Sequence, residues 1–315
     1  MTARRRIVID ADPGIDDAVA ILLALASPEL EVLAVTTVAG NCPLSETTPN
    51  ALRVLEFAGR RDIPVHAGCT RPLLREQIFS LVRGRGHITD AILPPPIGNP
   101  AEGHAVTKLI DLSHEARGRG EKLTICAIGP LTNIANALAM APDIAADWRE
   151  VVIMGGAFAV AGNRTPYAEF NFLADPHAVR IVLNSGAHLV MMPLDLTHQA
   201  MATPKRIASI RAAGGRYAST VAKLLASRGP NDLARFGEPG RPLHDPTTIG
   251  YLLAPEVFTG HQIFVEVDCE NPSRYGHMIA DWYGQTRKPP NATVMTKIDV
   301  ARFFVTLTAR LADAV

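Results

Sequence analysis

Apolar residues recur along this chain in two rhythms. Short β-branched runs alternate with longer stretches in which apolar positions return every three or four residues. The first rhythm marks buried strands and the second amphipathic helices. The pattern predicts a strand over 5–10, a helix over 16–26 closed by Ser27-Pro28, and a second strand over 31–38. A helix over 45–59 and a short strand over 64–67 follow. From 71 to 100 regularity is lost, with Gly84, Gly86 and the run Pro94-Pro95-Pro96. So long a structureless stretch inside a compact domain reads as a functional loop. Alternation then resumes: helix 101–115, strand 123–128, helix 131–140, strand 150–154 ending in Gly155-Gly156, helix 176–184 and strand 188–193. Residues 203–227 read as helices broken at Gly214-Gly215, and the Gly- and Pro-rich 229–242 as a second loop. Late strands over 262–268 and 277–282 are placed to pair antiparallel, and a final helix runs over 300–311.

Such alternation implies an α/β fold: a mostly parallel, Rossmann-like open sheet with helices on both faces and a late antiparallel portion. No internal repeat or linker interrupts it, so a single domain is expected over 1–315, with loops 71–100 and 229–242 near the active site. Composition adds exclusions. Lys plus Arg and Asp plus Glu each number 31, so the formal net charge is zero. A nucleic-acid groove or an anionic membrane surface calls for a basic excess, so neither partner is expected. No apolar stretch reaches membrane-spanning length. The run from Ile7 to Ile9 is too short for a signal-peptide core, which makes the cytoplasm the expected compartment. Cys42, Cys69, Cys126 and Cys269 are scattered, a spacing that fits small buried thiols and neither a zinc site nor a disulfide framework.

Chemistry concentrates in Asp10-Ala-Asp12-Pro13-Gly14-Ile15-Asp16-Asp17, where four carboxylates fall within eight residues at the end of the first strand. In open α/β sheets ligands bind at that edge. Carboxylates so close repel one another and raise each other's pKa, a conflict that a hard cation with oxygen ligands removes. The Pro-Gly turn lets the flanking carboxylates converge. Helix capping would explain Asp16 and Asp17 at a helix start; it would not explain Asp10 and Asp12.

This segment resembles the N-terminal signature of the nucleoside hydrolases of the inosine-uridine-preferring type. Further matches follow in order: Val38-Ala39-Gly40-Asn41, Ile128-Gly129-Pro130-Leu131-Thr132-Asn133, Met154-Gly155-Gly156-Ala157, Ala168-Glu169-Phe170-Asn171, Ala174-Asp175-Pro176, Pro193-Leu194-Asp195-Leu196-Thr197-His198 and Leu243-His244-Asp245. The resemblance implies hydrolysis of the N-glycosidic bond of a ribonucleoside to ribose and free base, by a homodimer or homotetramer. It implies one Ca²⁺ per subunit, held by Asp12, Asp17, Asp245 and the main-chain carbonyl of Ile128. Asp12 would be the general base toward water. Asp16 would bind the ribose 2′-hydroxyl, with Asn41, Asn163, Glu169 and Asn171 as further ribose contacts. Glu169 and Asn171 flank Phe170, and on an extended chain they would share one face. His244 would protonate or orient the leaving base, while His198 would support the architecture.

The sequence departs from the family pattern in both loops. Relatives often carry a His-Gly pair followed by Gly-Leu where this chain reads Arg85-Gly86-His87-Ile88-Thr89-Asp90, and a tyrosine where it reads Arg235-Phe236-Gly237. His87 and Phe236 are therefore candidates either to stack on the base or to pack on each other. Two other classes stay open on sequence alone. A haloacid-dehalogenase-like phosphatase also opens with Asp-x-Asp after a first strand, and a nucleoside- or ribose-binding protein could use the same residues without catalysis.

Overall fold

The computed structural model describes residues 4–80, 88–227 and 236–314. In chain order, the first elements are β1 (Arg5–Ala11), α1 (Ile15–Leu25), β2 (Leu30–Thr37), α2 (Leu44–Phe57), β3 (Val65–Ala67), α3 (Ala105–Gly118), β4 (Leu123–Ala127), α4 (Thr132–Met140) and β5 (Trp148–Met154). Then come α5 (Phe170–Ala174), α6 (Pro176–Leu183), β6 (Leu189–Met192), α7 (Leu194–Thr197), β7 (Met201–Ala202), α8 (Pro204–Ala213), α9 (Arg216–Ala226) and β8 (Arg241–Pro242). The chain closes with α10 (Pro246–Leu253), β9 (Phe258–Val267), β10 (Met278–Asp281), β11 (Ala292–Ile298) and α11 (Val300–Asp313).

Nine strands form one sheet in the order β10-β9-β11-β6-β5-β4-β1-β2-β3. From β3 to β11 every pairing is parallel, and the pairings of β9 with β11 and β10 are antiparallel. After β1 the chain builds outward through β2 and β3, then returns to lay β4 on the other side of β1. The C-terminal ends of β1 and β4 therefore bound the crevice where the strand order reverses, the place at which such sheets bind ligands.

Side-chain alternation feeds one core on each face. Ile7, Ile9 and Ala11 join Leu22, Val221, Ile249 and Leu307 on one side. Val8, Ile125 and Ala127 join Leu109, Ile134 and Val179 on the other. Burial on both faces explains why these strands read as unbroken apolar runs. Among the described residues, no helix is long and apolar enough to cross a membrane. All four cysteines are free, and three are buried while Cys69 is half-buried.

The expected elements are present with small shifts, and some elements were missed. Helix α3 begins at Ala105 rather than 101, because Gly103 adopts φ 89° and His104 caps the helix by accepting from Val106 N. The expected extended stretch at Glu169–Asn171 is instead the start of helix α5, with Glu169 as its N-cap. Strand β11 carries Thr293, Thr296 and Lys297, and so gives a weak apolar signal. It nevertheless fills the gap between β6 and β9 and joins the antiparallel hairpin to the parallel sheet.

Candidate active site

The turn after β1 folds the acidic segment onto itself. Gly14 leads into α1, and Asp17, in its first turn, points back: its Oδ1 accepts from Asp12 N at 3.2 Å and its Oδ2 from Gly14 N at 2.9 Å. The capping account thus holds for Asp17. Asp12 receives Asn41 N on Oδ2 at 2.5 Å, and the Asn41 amide reaches Asp12 O at 3.1 Å and Asp17 Oδ2 at 3.4 Å. Asn41 therefore clamps both carboxylates from the end of β2. Asn50 on α2 holds the turn through Pro13 O at 2.9 Å.

Asp10 has a separate task. Its Oδ1 accepts from Thr36 at 2.6 Å and Asn133 at 2.8 Å, and its main-chain oxygen accepts Ile128 N at 2.8 Å. It thereby ties the ends of β1, β2 and β4 together. Burial pushes its pKa up to about 7, with the Asn133 and Thr36 hydrogen bonds acting in the opposite sense.

Distant segments close on the same place. His244 N lies 3.4 Å from Asp16 Oδ2, which seats Leu243-His244-Asp245, the entry to α10, beside the start of α1. His244 Nδ1 is 2.8 Å from Thr197 Oγ1, and its ring lies 6.0 Å from that of His198. His198 in turn meets Phe236 edge-on at 5.1 Å. Phe236 thus packs on His198; His87 lies outside the described residues.

On the β4 side, the Asn171 amide donates to Ile128 O at 3.0 Å and Met154 O at 3.1 Å, fixing the carbonyl expected to face a metal. Glu169 is buried, and its carboxylate accepts from the main-chain N–H groups of Gly156, Asn171 and Phe172. Burial lifts it to about 7 against the pull of those donors. Asn163 Oδ1 accepts Phe170 N at 2.9 Å. The helix at α5, rather than an extended strand, is what brings these three side chains together.

Among the described residues, no three His, Cys, Asp or Glu side chains are gathered into a metal-holding group. Two observations still fit a hard cation at this place. Burial and the charge of Asp17 hold the Asp12 carboxyl well above its usual range. Burial, together with the charge of Asp16, lifts Asp17 to about 6 despite its backbone donors. Neither Asp12 nor Asp17 has an ion-pair partner among the described residues, so the repulsion is left for an added cation to relieve. The donor set, carboxylates with a main-chain carbonyl, is all oxygen and suits a hard divalent cation.

Glycines wall this cluster closely. A Cβ on Gly40 would sit 2.1 Å from Asp12 Oδ2 and 2.8 Å from Pro130 Cδ, and one on Gly129 would sit 2.9 Å from Asp12 Oδ1. Asp12 cannot swing away while Asn41 N holds it. Gly40→Ala is therefore expected to cost roughly 1–3 kcal/mol of stability through overpacking and to lower turnover by displacing Asp12. Urea denaturation checks the first effect and steady-state kinetics the second; a variant unchanged in both would show that the cradle has slack.

Three supporting residues were not assigned roles from sequence. Asn133 bonds Asp10 Oδ1, Thr37 O and Cys69 N. Thr197 orients His244. Asp195 accepts the N–H groups of Phe158, Ala159 and Val160, fixing the start of the loop that carries Asn163. All three fall inside the quoted motifs, but their partners are remote in sequence and no spacing announces them.

Comparison with known proteins places these features in a wider set. The family described as inosine-uridine preferring nucleoside hydrolase matches residues 7–305. An uncharacterized protein of Schizosaccharomyces pombe is 46% identical over 97% of this chain and 98% of its own length. The pyrimidine-specific ribonucleoside hydrolase RihA of Salmonella gallinarum is 42% identical over 97% of each chain. Among solved structures, the plant nucleoside hydrolase PpNRh1 superposes with a TM-score of 0.88 at 32% identity, covering 98% of this chain and 99% of that one. A purine-preferring ribonucleoside hydrolase from Gardnerella vaginalis gives 0.86 at 27% identity, with 98% of each chain covered.

Proposed function

Since this chain belongs to the inosine-uridine preferring nucleoside hydrolase family, and is thereby a hydrolase of ribonucleoside N-glycosidic bonds, we propose that Asp12 is its general base and that pyrimidine ribonucleosides are its preferred substrates. The observation that carries the site is the closure of the Asp16–His244 contact over the switch point between β1 and β4. It brings segments more than 200 residues apart to one crevice. The preference for uridine and cytidine is supported by the identity to RihA over nearly the full length. The full-length match leaves the phosphatase reading without support.

Asp12, Asp17, Asp245 and the main-chain oxygen of Ile128 would hold one Ca²⁺ per subunit. When bound, that cation supplies the positive charge that offsets the clustered carboxylates, acidifies water and grips ribose hydroxyls. Asp12, held in place by Asn41 N, takes the proton of the attacking water at its carboxylate. As the glycosidic bond breaks, positive charge grows on the sugar and the surrounding carboxylates stabilise it. Asp16 bonds the 2′-hydroxyl, and Asn41, Asn163, Glu169 and Asn171 hold the rest of the ribose, Asn163 and Glu169 toward its 5′-hydroxyl. Thr197 engages Nδ1 of His244, so a proton for the leaving base passes through Nε2. His198 and Phe236, adjoining His244, lie on the base side, and His87 is a further candidate there. The loops at 71–100 and 229–242 would cover that side. A homodimer or homotetramer is the assembly that the family resemblance suggests.

The test is release of reducing sugar from uridine, cytidine, inosine, adenosine and guanosine. The pyrimidine nucleosides should lead. 2′-Deoxyuridine should lose a factor on the order of 10⁴ in kcat/KM, because groups built to bond the missing hydroxyl are left unpaired. No sugar released from any of the five would overturn the assignment, and a purine lead would overturn the preference.

A further inference from the structure

One carboxylate outside the acidic cluster grips the loop that leads to the ribose contacts. Asp195, in the one-turn helix α7, accepts three consecutive main-chain N–H groups. Phe158 N lies 3.1 Å from Oδ2, while Ala159 N and Val160 N lie 2.9 Å and 3.0 Å from Oδ1. Its mount is tied down on two sides. Leu194 N donates to Gly156 O at 2.9 Å, just past the end of β5. The Gln199 amide donates to Asp195 O and to Thr296 O on β11, both at 2.8 Å. The loop itself is different. Ala159, Val160 and Ala161 are exposed, so apolar burial contributes little to their path. Phe158 stacks on Trp282 with ring centroids 5.8 Å apart, which secures only the first residue. Hydrogen bonds to a charged acceptor are about twice as strong as neutral ones, so the carboxylate is the main restraint on 158–160.

Beyond Val160 the chain folds back on itself. Gly162 N donates to Pro166 O at 3.1 Å, and a Cβ on Gly162 would lie 2.3 Å from Ala168 O. This turn carries Asn163, whose Oδ1 accepts Phe170 N at 2.9 Å. The Nδ2 amide is therefore the end that Asn163 offers to a hydroxyl. Glu169 accepts Asn171 N on Oε1, and Gly156 N and Phe172 N on Oε2. Gly156 is the residue whose carbonyl Leu194 holds, so the start of α7 steadies both sides of this corner. Each carboxylate oxygen accepts about two donors, so Oε1 can take a hydroxyl as well. One hydroxyl can then accept from Asn163 and donate to Glu169. We propose, on the reading that Asn163 and Glu169 meet the ribose 5′-hydroxyl, that Asp195 is the positioning residue for that hydroxyl. By fixing residues 158–160 it sets where Asn163 stands relative to Glu169, without touching substrate.

The experiment measures kcat/KM on uridine, 5′-deoxyuridine and 2′-deoxyuridine at saturating Ca²⁺, for the full chain and its Asp195→Ala, Asp195→Asn and Val160→Pro variants. Wild type should prefer uridine to 5′-deoxyuridine by roughly 10²-fold, the worth of hydrogen bonds that include a charged partner. Asp195→Ala should bring that ratio close to one by lowering kcat/KM on uridine, with 5′-deoxyuridine little affected. Asp195→Asn keeps one acceptor oxygen for Ala159 N and Val160 N but turns an amide NH₂ toward Phe158 N, and should fall between. Val160→Pro removes one donor from the exposed side and leaves α7 intact. It should lower the ratio too, and it decides the matter if the Asp195 variants do not fold. Discrimination against 2′-deoxyuridine, assigned to Asp16, should keep its wild-type value throughout. A purely structural role would lower uridine and 5′-deoxyuridine together. That result, or a wild-type ratio in the folded variants, overturns the role of Asp195 alone. Equal hydrolysis of uridine and 5′-deoxyuridine by wild type would instead overturn the 5′-hydroxyl contacts of Asn163 and Glu169, and the role of Asp195 with them.

Discussion

Replacing Asp12 by Asn is expected to lower kcat/KM on uridine by roughly 10²–10⁴-fold, the usual contribution of a positioned general base, while the fold persists. The amide oxygen can still accept from Asn41 N, now 2.5 Å from Oδ2, so the clamp between β1 and β2 survives. What is lost is basicity, since an amide does not take a proton from water at neutral pH. The substitution also removes one of two buried like charges, because the Asp17 charge is among the causes that raise Asp12. Thermal stability should therefore hold or rise. Assays at saturating Ca²⁺ separate loss of the base from weakened metal binding. Circular dichroism with a wild-type signature and turnover near zero is the expected pair. A folded variant that hydrolyses uridine at the normal rate would remove Asp12 from the mechanism.

Chelation should abolish nearly all activity, and Ca²⁺ should restore it. The accompanying stability change has a defined pH dependence. Asp17 titrates near 3.8 when unperturbed and at about 6 in the folded, metal-free chain, mainly through burial. A carboxylate raised by folding favours the native state fully at low pH, and that advantage is lost as pH climbs from the unfolded value through the folded one. Asp12 shifts in the same direction and adds to this effect. Metal-free protein should therefore be more stable near pH 5 than near pH 7.5. A cation that binds the ionised cluster stabilises the native state by mass action, so the Ca²⁺-dependent rise in Tm should grow across the same interval. Calorimetric scans with and without Ca²⁺ at both pH values measure this. Full turnover after exhaustive chelation, or a Ca²⁺ increment that shrinks as pH rises, would count against a metal at these aspartates.

The alternation of apolar runs made the parallel sheet legible, because strands buried on both faces have no polar side to interrupt them. The break at Gly214-Gly215 was equally plain, since both glycines adopt positive φ between α8 and α9. Strand β11 escaped notice because its register is held by neighbours on either side while its own side chains are mixed. Helix α5 escaped for a related reason. It is five residues long, too short for helical periodicity to show in the sequence, and its start is fixed by the side-chain acceptors Glu169 and Asn163.

For the site, sequence alone located the acidic turn and the motifs that resemble nucleoside hydrolases, because four carboxylates at a strand end pose an electrostatic problem visible without coordinates. Tertiary structure decided which of them do what. Asp10 became a tie among three strands, Asp17 a cap as well as a proposed ligand, and Asp12 the carboxylate clamped by Asn41 and walled by Gly40 and Gly129. The meeting of Asp16 with His244 had no local signature. Hydrogen bonds and charge repulsion act over a few ångströms of space, and only the crossover of the chain from β3 back to β4, with the return of α10 to α1, brings residues so far apart in sequence within that range.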